Sequence, residues 1–485
     1  MTAASQAVGG HWRVAIVGAG VAGLACAHRL LALAQERGFP LDLTVFEAAQ
    51  RPGGVILTEL VDGCVVEGGP DCFVSDRPWG IDLCRRAGLA EEIIGTSETH
   101  RRSFVYSRGR LLPIPEGYQL LAPGRILPFI ATPILSLGGK LRAACDLVLP
   151  RGPRAGDESL ASFVQRRFGR ETLERLAQPL LAGIYNADPE RLSLRATMPR
   201  FLDLEREQRS VILGLLRSRR RAPAASTKGV SGARYSLFVT LRSGLQTLTD
   251  RLAASLPAGS LRLGAKVSRI DPAAPSGYRV ATCGGQTIDT DAVVLAMPAC
   301  ASGPLVLPFD DRLADLLAAV PYGDAATVSL AYRRAEVAHP LDGFGFVVPR
   351  CERKSLVACS FSSVKFPGRA PEGTVLLRAF LDGKTAEGTD HATLERIVRD
   401  DLHDILGITA RPLFVRRFVH RRAMAQYEVD HLERVAAVEE QLASHPGLAL
   451  AGNGLRGVGL PDCARSGEAA ADRVAAQAGV VSLAR

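Results

Sequence analysis

Three glycines spaced Gly18, Gly20, Gly23 follow the apolar run Val14–Val17 and precede residues whose apolar positions recur at helical spacing. That order reads as strand, tight turn, helix. Gly18 permits the turn, Gly20 lets backbone N–H groups approach a pyrophosphate, and Gly23 lets helix and strand pack closely. Ala19, Val21 and Ala22 complete the loop, and the helix N-terminus it opens points free N–H groups at an anion. Glu47, followed by Ala48, closes a second apolar strand of Leu43, Val45 and Phe46, 24 residues after Gly23. A carboxylate there accepts hydrogen bonds from both ribose hydroxyls and repels a 2′-phosphate, so an adenosine diphosphate group is the expected ligand. A chance glycine-rich turn is the rival reading; strand, glycines, helix, strand and acid occurring in order weigh against it.

Three further turns could line the same ligand. Gly53 and Gly54 follow Glu47 in RPGGVILTE, Gly68, Gly69, Pro70 and Asp71 follow an apolar strand in EGGPDCF, and Gly452 to Gly459 follow the strand Leu448–Ala451. The last of these, GNGLRGVG, leads to an amphipathic helix expected from Gly467 onward, so Val458, Gly459 and Leu460 would present backbone N–H groups and a positive dipole end. The nine histidines make no triad or metal spacing and no catalytic acid or base is assigned. The ten cysteines include no CxxC pair, which argues against a zinc site and a disulfide framework and for a reducing compartment.

The elements that must position these turns need room. A chain of 485 residues suits two or three domains. Hydrophobic content of 47% with 22% charged residues is that of a globular protein. The formal charge of +9 is compatible with an anionic substrate or surface. Nucleic acid is not expected, because the one dense basic run, Arg217, Arg219, Arg220 and Arg221, lacks interleaved aromatics and reads as a solvated mobile loop over about 217–233. The first twelve residues carry neither a basic nor an apolar signal region, so an intracellular protein is expected. No apolar run is long enough to span a bilayer. The most apolar stretch, residues 120–139, is interrupted by Pro123, Pro128 and Pro133 and reads as a pair of short buried helices, its rival being a surface that dips into lipid.

The chain is divided as follows. Residues 1–80, 235–300 and 440–485 should form one nucleotide-binding unit, in which Val267 of LRLGAKVSRI touches the adenine side and AVVLAMP supplies another strand. Residues 85–210 show helical periodicity, and 305–430 alternate apolar and polar positions in TVSLAYRR, GFGFVVP and TVLLRAF, as in an antiparallel sheet.

A Glu followed after five residues by Gly-Gly resembles the extended fingerprint of FAD-containing oxidases of the amine-oxidase superfamily, which makes FAD rather than NAD the expected cofactor. Within that superfamily the chain resembles the protoporphyrinogen and coproporphyrinogen III oxidases. The resemblance runs nearly end to end and includes LSLGGKLRAACDLVLPRG from Leu135, PLLAGIYNADPERLS from Pro179, RSVILG from Arg209, GLQTL from Gly244 and GNGLRGVGLPDC from Gly452. It implies an α/β fold: a Rossmann-like FAD domain, an antiparallel-sheet substrate domain, and a helical domain whose outer face meets the membrane. It also implies that the backbone around Gly183 orients the macrocycle, that Phe344, Val347 and Phe380 wall it, and that Arg77 takes a substrate carboxylate.

The implied activity is three successive two-electron oxidations of one porphyrinogen, with molecular oxygen as acceptor and hydrogen peroxide as product. Coproporphyrinogen III is the expected substrate and protoporphyrinogen IX the alternative, because Ser103 stands where protoporphyrinogen oxidases usually keep an arginine before an aromatic, with Arg102 displaced by one. A second departure is AMAQYEVDH, where the family more often has Pro at Ala425 and Gly at Asp430. A cytoplasmic protein with a peripheral membrane contact is expected, with a ferrochelatase as the downstream partner. The rivals are an amine oxidase or carotenoid desaturase, for which the two N-terminal tryptophans Trp12 and Trp79 supply a poor aromatic cage, and a flavoprotein scaffold without turnover.

Overall fold

Val14–Val17 is apolar at every position because its strand is covered on both faces, as parallel strands between helices are. In the computed structural model, which describes residues 11–152, 156–221, 238–382, 385 and 389–478, this strand (Trp12–Val17) lies at the centre of a five-stranded parallel sheet. The order across the sheet is Leu261–Arg262, Leu41–Phe46, Trp12–Val17, Ala292–Leu295, Leu448–Leu450. Val14 is opposite Leu43 on one side and Ala292 on the other, so strands from the start, middle and end of the chain share one register. Against one face pack the first helix (Val21–Arg37) and the C-terminal helix (Leu460–Gln477), burying Leu24, Leu30, Ala464, Ala471 and Val474 together. The C-terminal helix starts at Leu460, seven residues before the Gly467 expected from the sequence. Pro461 fits its first turn, where a missing N–H breaks no bond.

The second sheet has seven strands in the order Phe414–Ala425, Tyr322–Arg333, Thr374–Asp382, Leu356–Phe361, Gly345–Val347, Phe104–Ser107, Arg110–Pro113. One face, carrying Val328, Leu330, Leu377, Ala379 and Leu381, packs on the helix His391–Leu406 through Val398, Leu402 and Leu406. The other faces the glycine loops. Two of its strands, Phe104–Ser107 and Arg110–Pro113, come from a stretch whose sequence pattern is helical elsewhere. They are short, and their pairing with Gly345–Val347 and with each other is tertiary.

The third part is helical, built on Leu160–Phe168, Gln178–Tyr185, Pro199–Gln208 and Val211–Arg221. At its centre Arg167 is fully buried; its guanidinium donates to Asp146 at 2.6 Å and to Glu205 at 3.2 Å, while Asp146 also accepts from Ser210 and from the Ile212 N–H. Such a network keeps charge in a dry core only because every member is paired. Arg217, Arg219, Arg220 and Arg221 end the helix Val211–Arg221 rather than lying in a loop, and the remainder of the stretch read as a mobile loop, 222–233, falls outside the described residues. Residues 120–139 do form two short helices, Ile126–Ala131 and the start of Leu137–Ala144, but these bury only one face, through Phe129 and Ala143, and expose the other. Leu127 is 80% exposed, Leu137 73% and, just beyond, Val148 72%. Among the described residues no helix is long and apolar enough to cross a membrane.

Candidate active site

The first glycine turn is built as its spacing requires. Gly18 has φ +107°, and a Cβ there would lie 2.5 Å from the Ala296 carbonyl oxygen, so only glycine fits. Space over Gly20 is open, with nothing within 4 Å of where a Cβ would be. Gly20 caps the first helix without a side-chain hydrogen bond, leaving the N–H groups of Val21, Ala22 and Gly23 for an anion. The Glu47 carboxylate is fixed by accepting from the Ala19 N–H and the Ala49 N–H, both at 2.8 Å, and Ala48 lies exposed between. Val267 is buried at the start of a neighbouring strand, just after Ala265 donates to the Glu47 carbonyl at 2.8 Å.

From this turn a track of close backbone contacts leads to the second sheet. Gly53 N–H donates to the Ala19 carbonyl at 2.8 Å, and a Cβ on Gly54 would sit 3.5 Å from the Gly20 Cα. Arg51 holds this loop by donating to the carbonyls of Pro52, Ile56 and Gly54. Next, Gly69 lies so close to Val55 that a Cβ would be 1.8 Å from its carbonyl oxygen. The Gly68–Asp71 loop is then gripped from the seven-stranded sheet and the short helix beside it. His420 Nε2 donates to Gly68 O at 2.8 Å, Arg378 donates to Gly69 O, and Lys365 pairs with Asp71 at 2.9 Å.

Burial alone would raise the Asp71 carboxyl, but Lys365 and Arg378 outweigh it and hold it far below the usual carboxylate range. Burial likewise opposes the Lys365 charge, and Asp71 restores it. Burial, with Asp71 adding to it, pushes the Cys72 thiol beside this pair up to about 12, so it stays protonated. Sequence reading did not single out Arg51, Lys365, Arg378 or His420 for any of these contacts.

The C-terminal turn closes on the same place. A Cβ on Gly452 would be 3.9 Å from the Met297 carbonyl oxygen and one on Gly454 3.0 Å from Ala299 Cβ, so this turn and Gly18 flank the same strand end, Ala296–Ala299. Gly459 caps the C-terminal helix without a side-chain hydrogen bond, which leaves the N–H groups of Leu460 and Asp462 for an anion, Pro461 having none and Cys463 donating to Gly459 O at 2.9 Å. The two helices stay close because Gly467 has no side chain: a Cβ would be 2.0 Å from the Ala22 carbonyl oxygen. Two uncapped helix N-termini, an open space at Gly20 and a fixed carboxylate at Glu47 fit a dinucleotide with a pyrophosphate between its halves. Val458, Gly459 and Leu460 stand at the second of those termini.

Of the residues expected to wall a macrocycle, Gly183 is an exposed residue of the helix Gln178–Tyr185, and a Cβ there would lie 3.8 Å from Val347 Cγ1. The structure thus brings Gly183 and Val347 together. Val347 is in register with Ala358, Phe380, Thr327 and Phe418 across the sheet face turned toward the loops. Phe380 is half-buried, with the Arg378 guanidinium 4.9 Å from its ring centre. Phe344 is buried, its N–H bonded to Arg102 O at 2.8 Å and its carbonyl to the Phe361 N–H at 2.9 Å. Arg77 caps the helix Pro78–Arg86, and its guanidinium pairs with Asp462 in the first turn of the C-terminal helix. A cavity of about 560 Å³ lies elsewhere, on the opposite side of the sheet, lined by Tyr332, Glu395, Arg399 and Arg417.

A fold with two helix N-termini converging on a parallel sheet, backed by a mostly antiparallel seven-stranded sheet, defines the class. The chain belongs to the flavin-containing amine oxidoreductase family, whose model matches residues 21–475. It is an FAD-dependent oxidoreductase. It is 34% identical to the coproporphyrinogen III oxidase of Bacillus subtilis (strain 168) over 468 residues, 95% of this chain and 97% of that one. With the mitochondrial protoporphyrinogen oxidase of Nicotiana tabacum it shares 28% identity over 492 residues, 95% and 94% of the two chains. The crystal structure of a protein provisionally assigned as a protoporphyrinogen oxidase, from Exiguobacterium sp. 255-15, superposes with a TM-score of 0.84 at 30% identity, covering 96% of this chain and 99% of that one.

Proposed function

We propose that the chain oxidises coproporphyrinogen III to coproporphyrin III, with three molecules of oxygen taking six electrons and six protons to become hydrogen peroxide. Bound FAD supplies a two-electron acceptor for each step. The chain's own residues bind, orient and exclude water. Gly18, Ala19, Gly20, Val21, Ala22 and Gly23, with Glu47 and Ala48, take the adenosine diphosphate half, and Val267 lies by the adenine. Gly53, Gly54, Gly68, Gly69, Pro70 and Asp71 run beside the flavin half, and Val458, Gly459 and Leu460 face the isoalloxazine. Gly183, Val347, Phe344 and Phe380 bound the macrocycle. Arg77 receives a substrate carboxylate through the guanidinium donors that Asp462 leaves free. In this reading residues 1–80, 235–300 and 440–485 serve the cofactor, 305–430 the substrate and 85–210 the membrane side.

One observation carries this reading: Gly183 is exposed and leaves the helix surface beside Val347 without a side chain. A flat ring system can enter where a side chain would block it. The similarity to a coproporphyrinogen III oxidase over nearly the whole chain supports the substrate. Protoporphyrinogen IX is the second reading, favoured by the relative named for that substrate. Purified chain with a flavin spectrum, given coproporphyrinogen III and protoporphyrinogen IX in parallel under porphyrin-fluorescence detection, should turn over the first faster. Activity with neither removes the proposal, and a preference for the second reverses the substrate.

The exposed Leu127, Ile130, Leu137, Leu141 and Val148, with Lys140 among them, support a peripheral lipid contact of a cytoplasmic enzyme, from which the porphyrin passes to a ferrochelatase. Sedimentation with anionic vesicles should fall when Leu127 and Leu137 are both changed to Asp; equal sedimentation removes the contact.

A further inference from the structure

The segment AMAQYEVDH departs from the family pattern at Ala425 and Asp430, yet the structure places it at the meeting point of all three parts of the molecule. Asp430 adopts φ +66°, the left-handed conformation that a glycine would take without strain and that an aspartate tolerates better than most residues.

On one side this segment holds the C-terminal glycine-rich turn. The Tyr427 hydroxyl donates to Asn453 O at 2.7 Å, and His431 Nε2 to Leu455 O at 2.8 Å. A carbonyl can only accept, so Nε2 carries the proton. The two rings stack with centroids 4.0 Å apart, and both are buried, Tyr427 at 3% and His431 at 0% exposure. The Asn453 side chain donates to Ala423 O at 3.0 Å and accepts from Tyr322, whose oxygen in turn accepts from the Ala299 N–H. The turn is therefore tied by its backbone to two aromatic rings of the segment 425–431.

On the other side the same segment is held by the helical part. Tyr427 O accepts from the Ser193 N–H at 2.7 Å, and Val429 N–H donates to Arg191 O at 2.8 Å. Glu428 pairs with Arg191 at 2.8 Å. Gln426 Nε2 donates to Tyr185 O at 3.2 Å, at the end of the helix that carries Gly183.

We propose that Tyr427 and His431 are positioning residues that hold Asn453 and Leu455 in the shape that receives the flavin, and that they couple flavin occupancy to the order of Arg191–Ser193 and the Gly183 helix. The proposal rests on the reading that Gly452–Gly459 lies against FAD. Binding that orders the turn must, by linkage, order whatever the turn is bonded to, and the reverse holds equally. The coupling gives the enzyme a reason to present its substrate wall only when the cofactor is in place. A mere packing junction would stabilise the apo and FAD-loaded chains alike.

The test uses the full chain with FAD bound and after FAD removal. Amide hydrogen exchange at 185–193 should slow on FAD binding in the wild type. In Tyr427→Phe, which removes one hydroxyl and keeps the ring stack, FAD should still slow exchange at 20–23 but no longer at 185–193. FAD release, read from the fluorescence of free FAD after dilution, should be about five- to tenfold faster, as expected for one lost buried hydrogen bond. His431→Gln, which retains an N–H donor, should release FAD more slowly than His431→Ala. Wild-type release and wild-type exchange differences in Tyr427→Phe overturn the proposal while leaving the cofactor reading intact. A wild-type chain that retains no FAD overturns both.

Discussion

Gly183 is where substrate recognition can be separated from stability. It sits inside the helix Gln178–Tyr185 with an exposed Cα, and a Cβ built on it meets nothing nearer than Val347 Cγ1 at 3.8 Å, an ordinary contact distance. Replacing glycine by alanine in a helix interior is favourable by about 1 kcal/mol, so Gly183→Ala should fold at least as stably as the wild type. Its flavin content should be unchanged, because no described contact of Gly183 involves the glycine turns. The new methyl nevertheless stands on the bare helix surface against which the macrocycle is proposed to lie. Displacing a reacting carbon by about 1 Å can cost about a hundredfold in rate. Gly183→Val, whose methyls extend further toward Val347, should therefore lose about a hundredfold in kcat/KM, and Gly183→Ala a smaller factor. Porphyrin fluorescence gives the rates, thermal melting the stability and visible absorbance the flavin. A Gly183→Val chain with wild-type melting, flavin and kcat/KM would refute the placement of the substrate between this helix and the sheet.

Further consequences follow from the same geometry. Gly467→Ala should destabilise by about 1–3 kcal/mol and lose flavin, since its Cβ would lie 2.0 Å from the Ala22 carbonyl oxygen and must push the helices Val21–Arg37 and Leu460–Gln477 apart; thermal melting and flavin content check this. Lys365→Met should cost about 3–5 kcal/mol in urea unfolding by leaving Asp71 charged, buried and partly unpaired, and adding Asp71→Asn should recover part of that loss. Arg77→Ala should raise KM more than it lowers kcat if Arg77 meets a substrate carboxylate, and an unchanged KM would assign the residue to Asp462 alone. Burial, with Arg434 and Arg456 nearby, depresses the His431 pKa below its unfolded value of about 6.5, so the unfolded chain takes up the proton first. The His431 contribution is therefore complete above about pH 6.5 and is lost as pH falls below it, and His431→Gln should flatten that part of the stability curve.

What the sequence made legible was local. The turn at Gly18, the acid at Glu47 and the apolar strands between them are specified within a few dozen residues, and each has a physical reason to be there whatever the rest of the chain does. The strands around Thr327 and Phe380 were equally readable from their alternation. Contacts that depend on tertiary register were not. Nothing near Arg378 or His420 in the sequence says that their donors reach the carbonyls of Gly69 and Gly68, more than 300 residues earlier. Nor does RLLP at Arg110–Pro113 distinguish a sheet strand from a loop between helices until Phe104–Ser107 is paired beside it. Nothing near Arg167 in the sequence announces that it is fully buried, because Asp146 and Glu205 arrive from other helices. The same limit explains residues 120–139: prolines predicted short helices, but the balance between a buried and an exposed face depends on what packs beneath them. Motif glycines thus mark the proposed cofactor track, whereas the cations, carbonyls and rings that hold those loops come from distant parts of the chain. A substitution at Tyr427 or Arg378 should therefore disturb flavin binding although neither belongs to any nucleotide motif.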